Sequence, residues 1–210
     1  MKTLSTSWLW FRARRCALDM LDDRSGIAAT EFAVIVPIML VMFFGMVEFS
    51  SGVAVDRKVT LMARTMSDLV SRSKKVDDTA MTNFFAATNA IMTPYSSTPA
   101  RTTITEVYID PATGGARAQW SNASNGATAR AAGSPVTVPD NLIARDPVTK
   151  AILPNQYLIF SEVSYLYTPT IGYVMATAGV TLRDVAYTRP RLSLCVLYNP
   201  SNPPPPCPTL

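Results

Sequence analysis

From Phe32 to Val47 the chain runs 16 residues without a charge, bounded by Glu31 on one side and Glu48 on the other. Counted from Ile27 to Phe49, the apolar stretch is 23 residues. As a helix that is about 34 Å long, enough to cross the hydrocarbon core of a bilayer. No other feature limits the fold as much, because a helix this apolar must be surrounded by lipid or by protein. A carboxylate near the middle of such a helix costs roughly 2.5–3.5 kcal/mol on insertion scales. Glu31 and Glu48 are therefore expected near the two membrane boundaries, or with partners. Pro37 lies inside the run, where it removes one helical hydrogen bond and predicts a kink that membranes tolerate better than water does.

Lys2, Arg12, Arg14, Arg15 and Arg24 precede the run; Arg57, Lys58 and Arg64 follow it, fewer and farther off. The orientation rule counts basic residues and largely ignores Asp19, Asp22 and Asp23, so the N-terminus is expected in the cytoplasm and the C-terminal bulk across the membrane. The rival reading is a cleaved signal peptide, with Gly52-Val53-Ala54 offering small residues to signal peptidase. An ordinary signal core is shorter and carries no carboxylate.

The 210 residues suffice for one core-forming domain besides a membrane segment. A net charge of +4, with no basic run beyond Arg14-Arg15 and Lys74-Lys75, does not argue for nucleic acid. There is no histidine. That excludes Ser-His-Asp and Cys-His nucleophile systems and removes the commonest metal ligand. Two lone cysteines cannot fill a structural zinc site, and no phosphate loop is present, so no cofactor and no small-molecule substrate is expected. Cys16 falls on the reducing side of the membrane and Cys195 and Cys207 on the oxidising side. The last two are spaced to permit a disulfide closing a short loop, on the order of 3 kcal/mol by chain entropy; the alternative is two free thiols in a disordered tail. Acids of the exported part are scattered: Asp77, Asp78, Glu106, Asp110, Asp140, Asp146, Glu162 and Asp184. Glu162 stands out because its neighbours are apolar.

Beyond the run the pattern is amphipathic. Val55, Val59, Met62, Met66 and Leu69 recur at steps of four and three, so the membrane helix is expected to continue to about Ser71 with one apolar stripe on its own domain. Asp77 and Asp78 open a second helix carrying Met81, Phe84, Phe85, Thr88, Ile91 and Met92, which Pro94 and Pro99 terminate. Thr102–Ile109 reads as a strand, 110–115 as a turn, Ala116–Trp120 as the returning strand and Ser121–Pro135 as a loop. Gln156–Tyr167, apolar on both faces, reads as a central strand. A short helical turn is expected over Ile171–Ala178, strands over Val180–Tyr187 and Leu192–Tyr198, and an extended, solvated tail from Pro200 to Pro208.

The stretch Arg24-Ser25-Gly26, then Ala28-Ala29-Thr30-Glu31-Phe32-Ala33, then Phe44-Gly45-Met46-Val47-Glu48-Phe49, resembles the TadE-like pseudopilins of the tight-adherence (Flp) pilus system. Weaker pieces follow in order, Tyr165-Leu166-Tyr167-Thr168-Pro169 and Arg189-Pro190-Arg191. The resemblance implies cleavage by a prepilin peptidase after Gly26, making Ile27 the new N-terminus. It implies that Glu31, followed by Phe32, sets subunit register by pairing with a neighbour's new amine. Two buried charges that meet are tolerable where one alone is not. The metal site of larger members of that system, an Asp-x-Ser-x-Ser loop, is absent from the sequence.

The expectation is an α+β protein: a prepilin-type leader (1–26), a single transmembrane helix (27–49) extending into an amphipathic helix, an antiparallel-sheet periplasmic domain with one or two helices (50–198), and a Pro-rich tail (199–210). By resemblance it is a minor pilin or pseudopilin of the inner membrane, not an enzyme, and in a pilus it becomes extracellular. Its expected partners are the membrane, the prepilin peptidase, other Tad pilins and pseudopilins, and the Flp major pilin. The alternatives are a permanently anchored periplasmic scaffold that never polymerises, and an exported hydrolase built on two converging carboxylates.

Overall fold

The computed structural model describes residues 25–169, 179–199 and 207–208. The expected leader up to residue 24, Cys16, the turn at 171–178 and most of the Pro-rich tail lie outside the described residues. The chain divides into two compact units, Met1–Val47 and Glu48–Leu210. The long helix α1, Ser25–Ser71, begins in the first, runs on through Pro37 and ends in the second.

In the second unit α1 is followed by β1 (Lys75–Val76), α2 (Asp78–Ala90), β2 (Ala100–Ile109), β3 (Ala116–Ser124), β4 (Pro135–Val136), a 3-10 turn (Asp140–Leu142), β5 (Gln156–Tyr167), β6 (Val180–Thr188) and β7 (Leu197–Tyr198). The fold is α+β. Strands order β4-β3-β2-β5-β6 in one antiparallel sheet. β5 is interior, as its two apolar faces require.

The amphipathic stripe of α1 packs on one face of this sheet. Val55, Val59, Met62 and Ala63 join Ala100, Val163, Tyr165 and Tyr167, and farther along Met66 and Val70 join Ile104 and Ile159. The buried position at the end of the stripe is Val70, while Leu69 is only half-buried, because a 3.6-residue helix drifts by about 20° per heptad from the four-three spacing. The opposite sheet face carries Val107, Ile109, Ala118, Leu158 and Phe160, covered by Val136 and Ile143 from the long β3–β5 connection. Gln156 holds that connection by bonding the amide and carbonyl of Ala144 (2.6 and 2.9 Å).

Local chemistry sets the element ends. Asp77 caps α2, its carboxylate accepting from the amide of Ala80 at 2.7 Å, a contribution of about 1 kcal/mol. Lys58 donates to the carbonyls of Ile91 and Thr93 where α2 ends (2.8 Å each), a cation placed against the negative end of a helix. The β2–β3 turn is organised by Asp110, which accepts from the Ala112 amide and the Thr113 hydroxyl. Those bonds hold its carboxyl below the usual carboxylate range. Position 114 suits glycine because its φ is +74°; an added Cβ would also displace the movable Cδ1 of Ile152, 2.9 Å away.

Three expectations fail. β3 does not stop at Trp120 but runs to Ser124. Its polar end is held by hydroxyl bonds between Ser121 and Thr105 (2.9 Å) and from Ser121 to the Ile104 carbonyl (3.0 Å). The strand expected over Leu192–Tyr198 shrinks to Leu197–Tyr198, which pairs in parallel with β1 outside the main sheet. Just before it, both backbone groups of Val196 are taken by side chains and not by a ladder. The tail is not wholly solvated. Cys207 is disulfide-bonded to Cys195, and Tyr157 donates to the Pro208 carbonyl at 3.0 Å.

Candidate assembly site

Gly26 lies in the first turn of α1, and a Cβ added there meets nothing within 4 Å among the described residues. Ile27, Glu31 and Phe32 are exposed, and Thr30 donates to the Ile27 carbonyl at 2.8 Å. The first-turn amides of a helix have no intrahelical acceptor, so this end of α1 opens more easily than its middle. From Phe32 to Val47 large apolar side chains point outward all round the helix. The most apolar 18-residue window has a mean hydropathy of 2.4 and is only 6% buried. A helix apolar on every side takes its surroundings from a membrane or from other helices. By length and composition this one can cross a membrane.

The second unit begins with a second acid, and this one is buried. Glu48 is 4% exposed and accepts from the Tyr167 hydroxyl at 2.5 Å. Burial, and then the Glu48 carboxylate, push the Tyr167 phenol up to about 12, so it stays a donor at any physiological pH. Tyr165, two residues earlier on the same face of β5, donates to the Ser96 carbonyl at 3.0 Å. The Tyr-x-Tyr piece thus fastens β5 to α1 and to the segment after α2. Tyr167→Phe keeps the ring and removes the donor. The expected cost is about 1–3 kcal/mol of stability in the second unit, because a buried carboxylate loses a hydrogen bond; denaturant unfolding against wild type measures it. The Arg-Pro-Arg piece does similar work where α1 ends. Arg191 pairs with Asp68 (2.8 Å) and donates its amide to the Ser71 carbonyl, while Arg189 reaches the Leu142 carbonyl.

A third acid, Glu106, is fully buried in the middle of β2. Its two oxygens accept from the Val196 amide (2.5 Å) and the Trp120 indole (2.9 Å), and the indole also donates to the Val196 carbonyl (2.6 Å). A bulge in β3 makes this possible: the register slips between Glu106 and Val107, which sets Trp120 opposite Glu106. Trp120 then stacks on Tyr198 with centroids 5.2 Å apart. Desolvation raises the Glu106 carboxyl to about 7, against the pull of its two hydrogen bonds.

Sequence and geometry now converge on the helix. Residues 26–66 are TadE-like. The TadE-like segment opens at Gly26, contains Glu31 and Glu48, and ends inside α1, before the sheet begins. The match covers 41 of the 210 residues. No curated protein and no solved structure matches the chain.

Gly26, Ile27, Glu31 and Phe32 fall within two turns of α1. Cys195 and Cys207 are joined by a disulfide with Cα atoms 5.8 Å apart. The described residues hold no cluster of three or more metal-binding side chains. Among the acids, Glu162 pairs with Arg130, Asp146 accepts amides of its own loop, and Glu106 is closed off from solvent. In the sequence Glu162 stands out and Glu106 does not, though both are acids within β-branched and apolar runs. That shared pattern is the available signal, and it does not say which of the two is buried.

Proposed function

We propose that the protein is a TadE-like minor pilin or pseudopilin that assists assembly of a Flp-type adhesive pilus. The observation that carries this is the TadE-like segment itself, which starts at the residue after which a prepilin peptidase would cut. The peptidase releases the leader after Gly26, leaving Ile27 as a positive amine and Glu31 four residues on. In the membrane the helix is stored singly. During assembly Glu31 meets the amine of a neighbouring copy or of another pilin, and that pairing sets the stagger between helices. The C-terminal unit lies on the periplasmic side, a placement supported by the excess of basic residues before the helix and by the Cys195–Cys207 disulfide.

N-terminal sequencing of the membrane-bound protein is expected to start at Ile27. Gly26→Ala is expected to leave most of the protein uncut on an immunoblot. Since a Cβ at position 26 meets nothing within 4 Å among the described residues, such an effect belongs to the peptidase and not to their folding. Glu31→Ala is expected to be processed but to assemble poorly, with about 3–5 kcal/mol lost at each interface where the amine is left unpaired. Normal pilus numbers in the Glu31→Ala strain would reduce the reading to an anchored scaffold.

A further inference from the structure

On the face of the sheet turned away from α1, strands β2, β5 and β6 place Arg101, Ser164 and Arg183 side by side in one rung. Cross-strand neighbours in register point to the same face, so the two arginines flank the serine hydroxyl. The next rung is Thr103, Glu162 and Val185. These residues, with 126–128 of the β3–β4 connection, line a pocket of about 280 Å³. We propose that this pocket binds a phosphate group, clasped between the guanidinium groups of Arg101 and Arg183.

The charge of the pocket follows from which groups already have partners. Glu162 pairs with Arg130, whose guanidinium lies over the Phe160 ring, 5.1 Å from its centroid. That acid is neutralised within the same face. Asp184 is in register with Val163, a residue of the core beneath α1, so its carboxylate turns to the other face. Arg101 and Arg183 are exposed and, among the described residues, form no ion pair. Two positive charges are therefore left uncompensated in one pocket. A phosphate monoester brings about −1.5 to −2 at neutral pH, which matches them.

Geometry favours phosphate over carboxylate. Arg101 and Arg183 stand two strands apart, about 9–10 Å at Cα, with only Ser164 between them. Each guanidinium is a planar fork that takes two oxygens at once. A carboxylate has two oxygens in one plane and saturates a single fork. A phosphate presents three or more acceptor oxygens in a tetrahedron, so it can serve both forks while the Ser164 hydroxyl donates from the floor. One exposed arginine holds an anion weakly, since water screens the pair. Two forks on one ligand make the site selective for it.

The proposal is independent of leader cleavage and polymerisation, so its failure would leave the pilin reading untouched. Full-length protein in detergent micelles is titrated calorimetrically with inorganic phosphate, glycerol 3-phosphate and acetate at one ionic strength. Saturable binding is expected for the phosphates and not for acetate; the tighter of the two phosphates tells whether the free ion or an ester is preferred. Arg101→Gln and Arg183→Gln are each expected to weaken phosphate binding about tenfold or more. Glu162→Gln removes the facing negative charge and is expected to tighten it several-fold, a gain that damage to the fold would not produce. Arg145→Gln, exposed on the β3–β5 connection, is the control and should leave the affinity unchanged. Acetate binding as tightly as phosphate would overturn the proposal. So would the absence of saturable phosphate binding, or equal affinities in Arg101→Gln, Arg183→Gln and Arg145→Gln.

Discussion

Met66→Ala is expected to destabilise the C-terminal unit by about 2–5 kcal/mol, the range for deleting a large buried apolar side chain. Met66 is fully buried where four elements meet: Val70 on its own helix, Met81 and Phe85 of α2, Ile104 and Ile159 of the sheet, and Val196 of the C-terminal segment. Each wall of the resulting cavity is anchored in a different element, so collapse is limited and the cost should fall in the upper part of that range. Leu61, earlier on α1 and 51% exposed, is the control; its change to alanine should cost within about 0.5 kcal/mol. Urea unfolding of the detergent-solubilised protein, followed by tryptophan fluorescence, measures both. A larger loss at Leu61 than at Met66 would mean that the wrong face of α1 has been set against the sheet.

Stability of the same unit is expected to fall as pH rises from about 4.5 to 8, by on the order of 3 kcal/mol from Glu106 alone. In the fold this carboxyl is raised from 4.5 to about 7 by burial in the sheet. Between those values the folded protein keeps a proton that the unfolded chain has released. The stabilising contribution is complete below pH 4.5, where both forms are protonated, and is lost as pH rises through 7, where the buried group must ionise. Asp110 and Asp146 are shifted the other way by their loop hydrogen bonds, so they act at lower pH and with opposite sign. Glu106→Gln cannot titrate and should flatten the profile across this window. At low pH, where wild-type Glu106 is protonated, it should cost about 1–3 kcal/mol, because an amide cannot accept from both the Val196 amide and the Trp120 indole, and the difference from wild type should shrink as pH rises. A pH profile unchanged in Glu106→Gln would assign the dependence to other groups.

The Glu106 contact also marks the limit of what local sequence conveys. The long apolar helix, its amphipathic continuation, the start of α2 at Asp77, the β2–β3 turn and the two-faced β5 are all legible in the sequence. Each depends on residues within a few positions of one another, through a period of 3.6 or 2, a cap or a turn. So does the stretch from Gly26 to Phe32, where an acid and a glycine stand at the head of an apolar run. The contacts that escape such a reading are long-range. Tyr167 and Glu48 are 119 residues apart, and Val196 and Glu106 are 90. No local pattern announces that a tyrosine on a strand will meet an acid on the helix, or that a bulge will turn Trp120 toward Glu106 and deprive the segment around Val196 of its ladder. Periodicity determined which residues face inward. Only the packed sheet decided which inward-facing polar groups meet, since a buried donor or acceptor must take whatever partner the tertiary fold brings within reach.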